Sequence, residues 1–222
     1  DYDGTNPFIE LGFWPGGDRD GNPFVNAATT IKVAQALRSS IIVCYYRDVR
    51  KLKRRLTFSG VANLLTELEA ALYENVFKPE DSTPISKQTI VDCLTTIKEK
   101  LINEHHSLYL NRLNQLLNRV QLFGTHFAAL DIRQDSRIHR AVLIETGVLP
   151  ENYTELDEQA QIKLLGTLSG KLNPASMKTE IGKDTIESIY AIKEVQSFNG
   201  EMGCQRYIIS NCQTAVNVME SV

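Results

Sequence analysis

Apolar residues recur at threes and fours over most of this chain, the spacing that lays them along one face of a helix. Val33, Leu37, Ile41, Tyr45, Val49, Leu52 and Leu56 form the longest such series. Asn26 or Thr29 stands where a side-chain oxygen caps its first turn. Gly60 marks a break. The stretch VANLLTELEAALYENVF predicts a second helix, and KPEDSTP, with Pro79 and Pro84, a linker. Ser86 opens a further helical region that runs to about Phe123, interrupted near Asn103–His106. A helix is predicted after Asp135, and two more in TELDEQAQIKLLGTLSG and GKDTIESIYAIKEVQSF, separated by Pro174. The closing TAVNVMESV keeps the same rhythm without a cap or stop signal.

Three stretches carry strand chemistry instead. PFIELGFW (Pro7–Trp14), GTHFAALDIR (Gly124–Arg133) and QRYIISNC (Gln205–Cys212) combine aromatic and β-branched residues beside turn or polar ones. Strands separated by helical excursions pair in parallel. The predicted fold is therefore mainly α with a few parallel strands, an α/β arrangement. Chemistry in such folds gathers at the carboxyl ends of the strands. Each of the three runs directly into a polar segment: GGDRDGNP, RQDSRIH and SNCQT. Three strands do not close a barrel. With Asp1 rather than methionine at the start and an unterminated helix at the end, the expectation is a piece cut from a longer chain.

Composition narrows the partners. The net charge of −3 provides no global basic field, so neither nucleic acid nor an anionic membrane is an expected partner. No run approaches the ~18 apolar residues of a membrane span, and no secretory signal opens the chain. A cytoplasmic protein is expected. Cys44, Cys93, Cys204 and Cys212 form no C-x-x-C pair, which argues against a zinc or redox site and for reduced, mostly buried thiols. Asn152–Thr154 matches a glycosylation sequon by chance on this reading.

The candidate chemistry centres on GFWPGGDRDGNPFV, Gly12–Val25. DRDGN looks superficially like a calcium loop, but the sixth position from Asp18 is Pro23, where glycine is required, and the twelfth is Thr29, where a glutamate chelates. Two readings stay open. In one, Gly16 and Gly17 turn the backbone sharply and let it approach a ligand. Arg19 then offers a fork of donors to a phosphate or carboxylate, with Asp18 and Asp20 facing away from it or anchoring the loop. In the other, the segment is a structural turn with an incidental ion pair of ~0–1 kcal/mol. LDIRQDS (Leu130–Ser136) has the same design: Arg133 reaches the same rim, or pairs with Asp131 inside the scaffold. His105 and His106 are expected on a helix, where adjacent side chains diverge by about 100° and do not share a metal. His126, expected in the second strand, and His139 have no partner at ligand spacing. The basic run Arg47–Arg55 suits the C-terminal end of the first helix and reads as a solvated or subunit-facing surface.

WPGGDRDGNP and LDIRQDS together resemble the bacterial and plant type of phosphoenolpyruvate carboxylase. GGDRDGNP, Gly16–Pro23, matches the family segment W-x-G-G-D-R-D-G-N-P without a change, while Pro15 departs from the apolar residue usual after the tryptophan. LDIRQDS is similar to L-D-I-R-Q-E-S, with Asp135 in place of glutamate, and YIISNCQTAVNVMES looks like the family strand Y-V-I-S-M and its following helix. The resemblance runs from about Phe8 to the end. It implies that 1–222 is a single piece of a larger β/α (TIM) barrel domain, with a helical insertion over about 27–122. It implies a lyase that converts phosphoenolpyruvate and bicarbonate to oxaloacetate and phosphate with magnesium or manganese, feeding the tricarboxylic acid cycle through carbon dioxide fixation. It further implies a homotetramer under allosteric control by metabolites such as acetyl-CoA and aspartate. By resemblance, Arg19 is the arginine on the phosphate side of the substrate. Arg133 is a rim residue that carries over as a second substrate contact, and Gly16, Gly17, Asp18, Asp20 and Asn22 support the loop. The family's T-A-H-P-T loop, its H-G-R-G-G loop and its acidic metal-binding pair are not in this sequence. This piece alone is therefore expected to bind no metal and to be inactive. A different phosphate-handling barrel enzyme is a weaker expectation. A non-catalytic helical binding or assembly module that kept the rim motifs is the alternative. Apolar surface left for the rest of the barrel is expected to favour self-association.

Overall fold

The computed structural model describes residues 9–20, 22 and 24–221. They fall into two compact units. The first takes in the described residues of Asp1–Gly12, with Ala34–Ala129 and Val195–Gly203. The second takes in the described residues of Phe13–Val33, Leu130–Glu194 and Cys204–Val222. The chain is mainly α with a small sheet of three strands. No helix among the described residues is long and apolar enough to cross a membrane.

The periodic apolar series become helices α1 (Ala27–Lys53), α2 (Ala62–Phe77), α3 (Lys87–Glu104) and α4 (Leu110–Phe123). Ser86 caps α3 by accepting the Thr89 N–H at 3.0 Å. Asn26 does the same for Thr29 at the start of α1, at 2.8 Å. The first unit's core joins Ile41, Tyr45, Val49 and Leu52 of α1 to Leu65, Leu68 and Leu72 of α2. From α3 and α4 it takes Ile90, Leu94, Ile97, Leu101, Leu113, Leu116 and Val120. Burying each such side chain contributes about 1.5–3 kcal/mol, far more than helix propensity, so this packing fixes the helices. Val33 and Leu37, expected on the same stripe, are only half-buried, and Ala34 and Arg38 are buried in their stead. Arg38 is tolerated there because its guanidinium donates to the carbonyls of Phe198 (2.6 Å) and Ile85 (2.9 Å) and to Asn75 Oδ1 (3.2 Å).

His105 and His106 do not share a helix. They sit in the break between α3 and α4, where His106, Ser107 and Tyr109 have φ of 50°, 58° and 61°, and the His105 ring stacks on Phe58. Of the cysteines, Cys204 is buried and Cys93 half-buried, but Cys44 and Cys212 are exposed, so the thiols are not mostly buried. In the basic run, Arg50 and Lys53 pair with Glu69 of α2.

The sheet is ordered β1-β2-β3: β1 (Gly12–Phe13), β2 (Ala129–Asp135) and β3 (Arg206–Ser210). Strands β2 and β3 run parallel, with Asp131 opposite Arg206 and Asp135 opposite Ser210. The first predicted strand is longer than what forms, and its Pro7 and Phe8 lie outside the described residues. The second begins five residues later than predicted, because the chain from Gly124 turns first, with Phe127 at φ 66°. His126 belongs to that turn and not to the strand. Helix α5 (Ser136–Thr146) follows β2 without a loop, and Asp135 caps it by accepting the Arg137 N–H at 2.8 Å. The next predicted helix is shortened to a 3-10 turn at Tyr153–Glu155 and α6 (Glu158–Leu165). Helix α7 (Glu180–Asn199) and the short α8 (Ala215–Met219) complete the chain. Buried Glu220 accepts from Arg140 (2.7 Å) and the Tyr153 hydroxyl (2.8 Å), which fastens the end of α8 in the second unit.

Candidate functional site

The glycine-rich segment leaves β1 in a tight turn: Gly17 and Asp18 both donate to the Trp14 carbonyl, at 2.9 and 3.0 Å. It then lies along β2, where Arg133 N–H donates to the Gly17 carbonyl and Arg19 N–H to the Arg133 carbonyl. The glycines are required by this packing. Gly16 has φ 85°, and a Cβ there would meet Val33 at 2.6 Å. A Cβ on Gly17 would lie 2.0 Å from the Asp131 carbonyl oxygen. The close approach that Gly17 allows is thus to a neighbouring strand, not to a ligand. Asn22 Oδ1 accepts the Phe24 N–H at 3.1 Å and closes the loop. Gly21 and Pro23 of the motif lie outside the described residues.

The two arginines have different surroundings. Arg133 is held by Asp20 (3.0 Å) and Asp18 (3.5 Å), with its guanidinium 5.7 Å from the Trp14 ring centroid. It does not pair with Asp131. That carboxylate takes Arg206 at 2.7 Å, because Arg206 stands directly across the ladder, nearer than a residue two places along the same strand. The side chain of Arg19 is 3% exposed, and its Nη2 donates to Asp184 Oδ2 of α7. Its Nε and Nη1 are buried without a partner among the described residues. Unmade hydrogen bonds from a buried cation cost about 1–3 kcal/mol or more, so these donors favour an anionic oxygen.

Arg19, Asp20 and Asn22 line a cavity of about 880 Å³ in the second unit, with Asp135, Arg137 and Lys183 among its other walls. Asp18, Gly16, Gly17 and Arg133 are not among its lining residues. Asp135 is committed to Arg137 and Asn211. The Arg137 hydrogen bonds hold its carboxyl well below the usual carboxylate range. His139 is buried and its pKa is lowered by that burial, and the Tyr207 hydroxyl lies 3.0 Å from its Nε2. Burial pushes Tyr207 up to about 12. This is a packed histidine whose burial disfavours the charged form. Asp184 and Lys183 escaped the sequence reading because no local pattern marks them: they sit in an ordinary amphipathic helix, and Asp184 is 165 positions from the arginine it meets.

No three His, Cys, Asp or Glu side chains converge as metal ligands among the described residues. Three of the five carboxylates on the cavity wall are engaged by arginines, Asp20 by Arg133, Asp135 by Arg137 and Asp184 by Arg19 itself, and Glu187 lies 3.9 Å from Lys183. This donor set does not fit a divalent ion.

The family model for phosphoenolpyruvate carboxylase matches residues 2–88 and 65–222. The chain belongs to the phosphoenolpyruvate carboxylase family. Similar phosphoenolpyruvate carboxylases include those of Gloeobacter violaceus, 28% identical over 96% of this chain and 29% of that protein, and Paraburkholderia xenovorans, 27% identical over 96% and 27%. That of Nocardia farcinica is 27% identical over 98% and 29%. The chain spans less than a third of the length of these phosphoenolpyruvate carboxylases. The aligned spans of 265–273 residues exceed the 222 of the chain, so its phosphoenolpyruvate carboxylase relatives carry internal residues that it lacks.

Proposed function

We propose that this chain is the part of a longer phosphoenolpyruvate carboxylase that supplies the arginine for the substrate phosphate. The observation that carries this is Arg19: it lines a cavity, is buried and bonded to Asp184, and has two donor nitrogens without a partner among the described residues. The reaction joins phosphoenolpyruvate and bicarbonate to give oxaloacetate and phosphate. Bicarbonate attacks the phosphoryl group, and the carbon dioxide released from carboxyphosphate is captured by the enolate. Charge on the phosphoryl oxygens is met by fixed donors that need no reorganisation, and Arg19 is such a donor. The cavity wall also carries Asp20, Asp135, Glu180, Asp184 and Glu187 against Arg19, Arg137 and Lys183. So polyanionic a substrate needs further cations, and these come from outside this chain.

The three parallel strands are an arc of a β/α barrel, in a single barrel domain interrupted by the helices of about 27–122. Arg133 braces the loop through Asp18 and Asp20 at the barrel rim. Magnesium or manganese is held by residues outside this chain. The whole enzyme is a cytoplasmic, allosteric homotetramer. The chain alone does not turn over, since the two loops and the acidic pair of the family are not in it.

The test is Arg19→Gln in the full-length enzyme. It is expected to lower kcat/KM for phosphoenolpyruvate by about 10²–10³, the loss typical of one preorganised donor, with the circular dichroism spectrum unchanged. Unchanged kinetics would leave the non-catalytic module as the better reading.

A further inference from the structure

We propose that Asp184 is the positioning residue of Arg19, the group that fixes the guanidinium in the orientation in which it meets phosphate. This rests on the reading of Arg19 as the substrate arginine. An arginine side chain loses rotamer entropy when held in one geometry, so an oriented one needs a fixed partner. Asp184 is such a partner because its carboxylate is fixed at both oxygens. Oδ2 accepts from Arg19 Nη2, and Oδ1 accepts the N–H of Ala27, the first residue of α1, at 3.0 Å.

The second contact is not incidental. The Asn26 cap spends its side chain on Thr29, and α1 has no acidic residue in its first turn. The Ala27 N–H, which has no partner within its own helix, finds one in Asp184. One carboxylate thereby serves a helix N-terminus and a cation, both of which favour negative charge. With Nη2 directed at Asp184, Nε and Nη1 are the nitrogens without a partner among the described residues. Asp184 thus decides which part of the guanidinium is free for a ligand. Asparagine keeps the shape of this side chain but not its function. Its single carbonyl oxygen accepts from Arg19 or from Ala27, and in either orientation its NH₂ group faces a donor.

The experiment is steady-state kinetics on the full-length enzyme with Asp184→Asn, Asp184→Glu and Arg19→Gln. Asp184→Asn is expected to lower kcat/KM for phosphoenolpyruvate about tenfold to a hundredfold, the cost of a small misplacement of a catalytic group. KM for bicarbonate should stay within about twofold. Asp184→Glu, which keeps two acceptor oxygens, should recover part of the loss and covers the case in which the asparagine variant does not fold. In an Arg19→Gln background, adding Asp184→Asn should cost less than about twofold, because its effect runs through Arg19. The same loss in both backgrounds, or wild-type kinetics for Asp184→Asn, would overturn the proposal while the reading of Arg19 stands. Wild-type kinetics for Arg19→Gln would overturn that reading, and this proposal with it.

Discussion

At the scale of single residues, the motif GGDRDGNP divides into packing and chemistry. The glycines serve packing, and the test is direct. Gly17→Ala forces a methyl group to within 2.0 Å of the Asp131 carbonyl, a backbone atom that moves only with β2. Overpacking of this kind costs about 1–3 kcal/mol. The expected outcome is a lower urea midpoint with an unchanged slope. Arg19 stands out in the sequence because its flanking residues match a specific motif. Its partner Asp184 does not, because a contact across 165 positions leaves no local pattern. Of the two readings of Arg133, the pairing with Asp131 is not the one that forms, for a related reason. Sequence shows neighbours along a strand, whereas the nearer neighbour is across the ladder, and it is Arg206.

At the scale of elements, the helices were legible because burial imposes their period on the sequence. The helix starts at Ser86, after Asp135 and at Asn26, one of two candidates there, were legible because short polar side chains hold the first turn. What the pattern hid were the places where residues other than glycine take positive φ, as at His106, Ser107 and Tyr109. The turn before β2 was hidden in the same way, and it carries a pH dependence. Burial, reinforced by the charge of Lys87, lowers the pKa of His126 to about 4. An unfolded histidine takes up its proton near pH 6.5. Between pH 6.5 and about 4 the unfolded chain therefore binds the extra proton, and stability falls as pH falls. The urea midpoint should drop between pH 7.5 and 5, and drop less in His126→Gln. Equal drops would show that other groups carry the effect.

At the scale of the whole molecule, the chain covers less than a third of each relative named above, and the cavity that Arg19 lines carries more carboxylates than cations. A purified 222-residue chain given phosphoenolpyruvate, bicarbonate and magnesium is expected to yield no oxaloacetate in a malate dehydrogenase-coupled assay. Measurable product would overturn the view that the remaining machinery lies elsewhere. The Gly17 contact with β2 has a consequence for how this family is read across genomes. A lineage that abandoned the reaction would still be selected to keep both glycines, since losing them damages folding whether or not substrate ever binds. Divergence after loss of function should therefore appear first at Arg19 and Asp184, and only later in the glycines beside them.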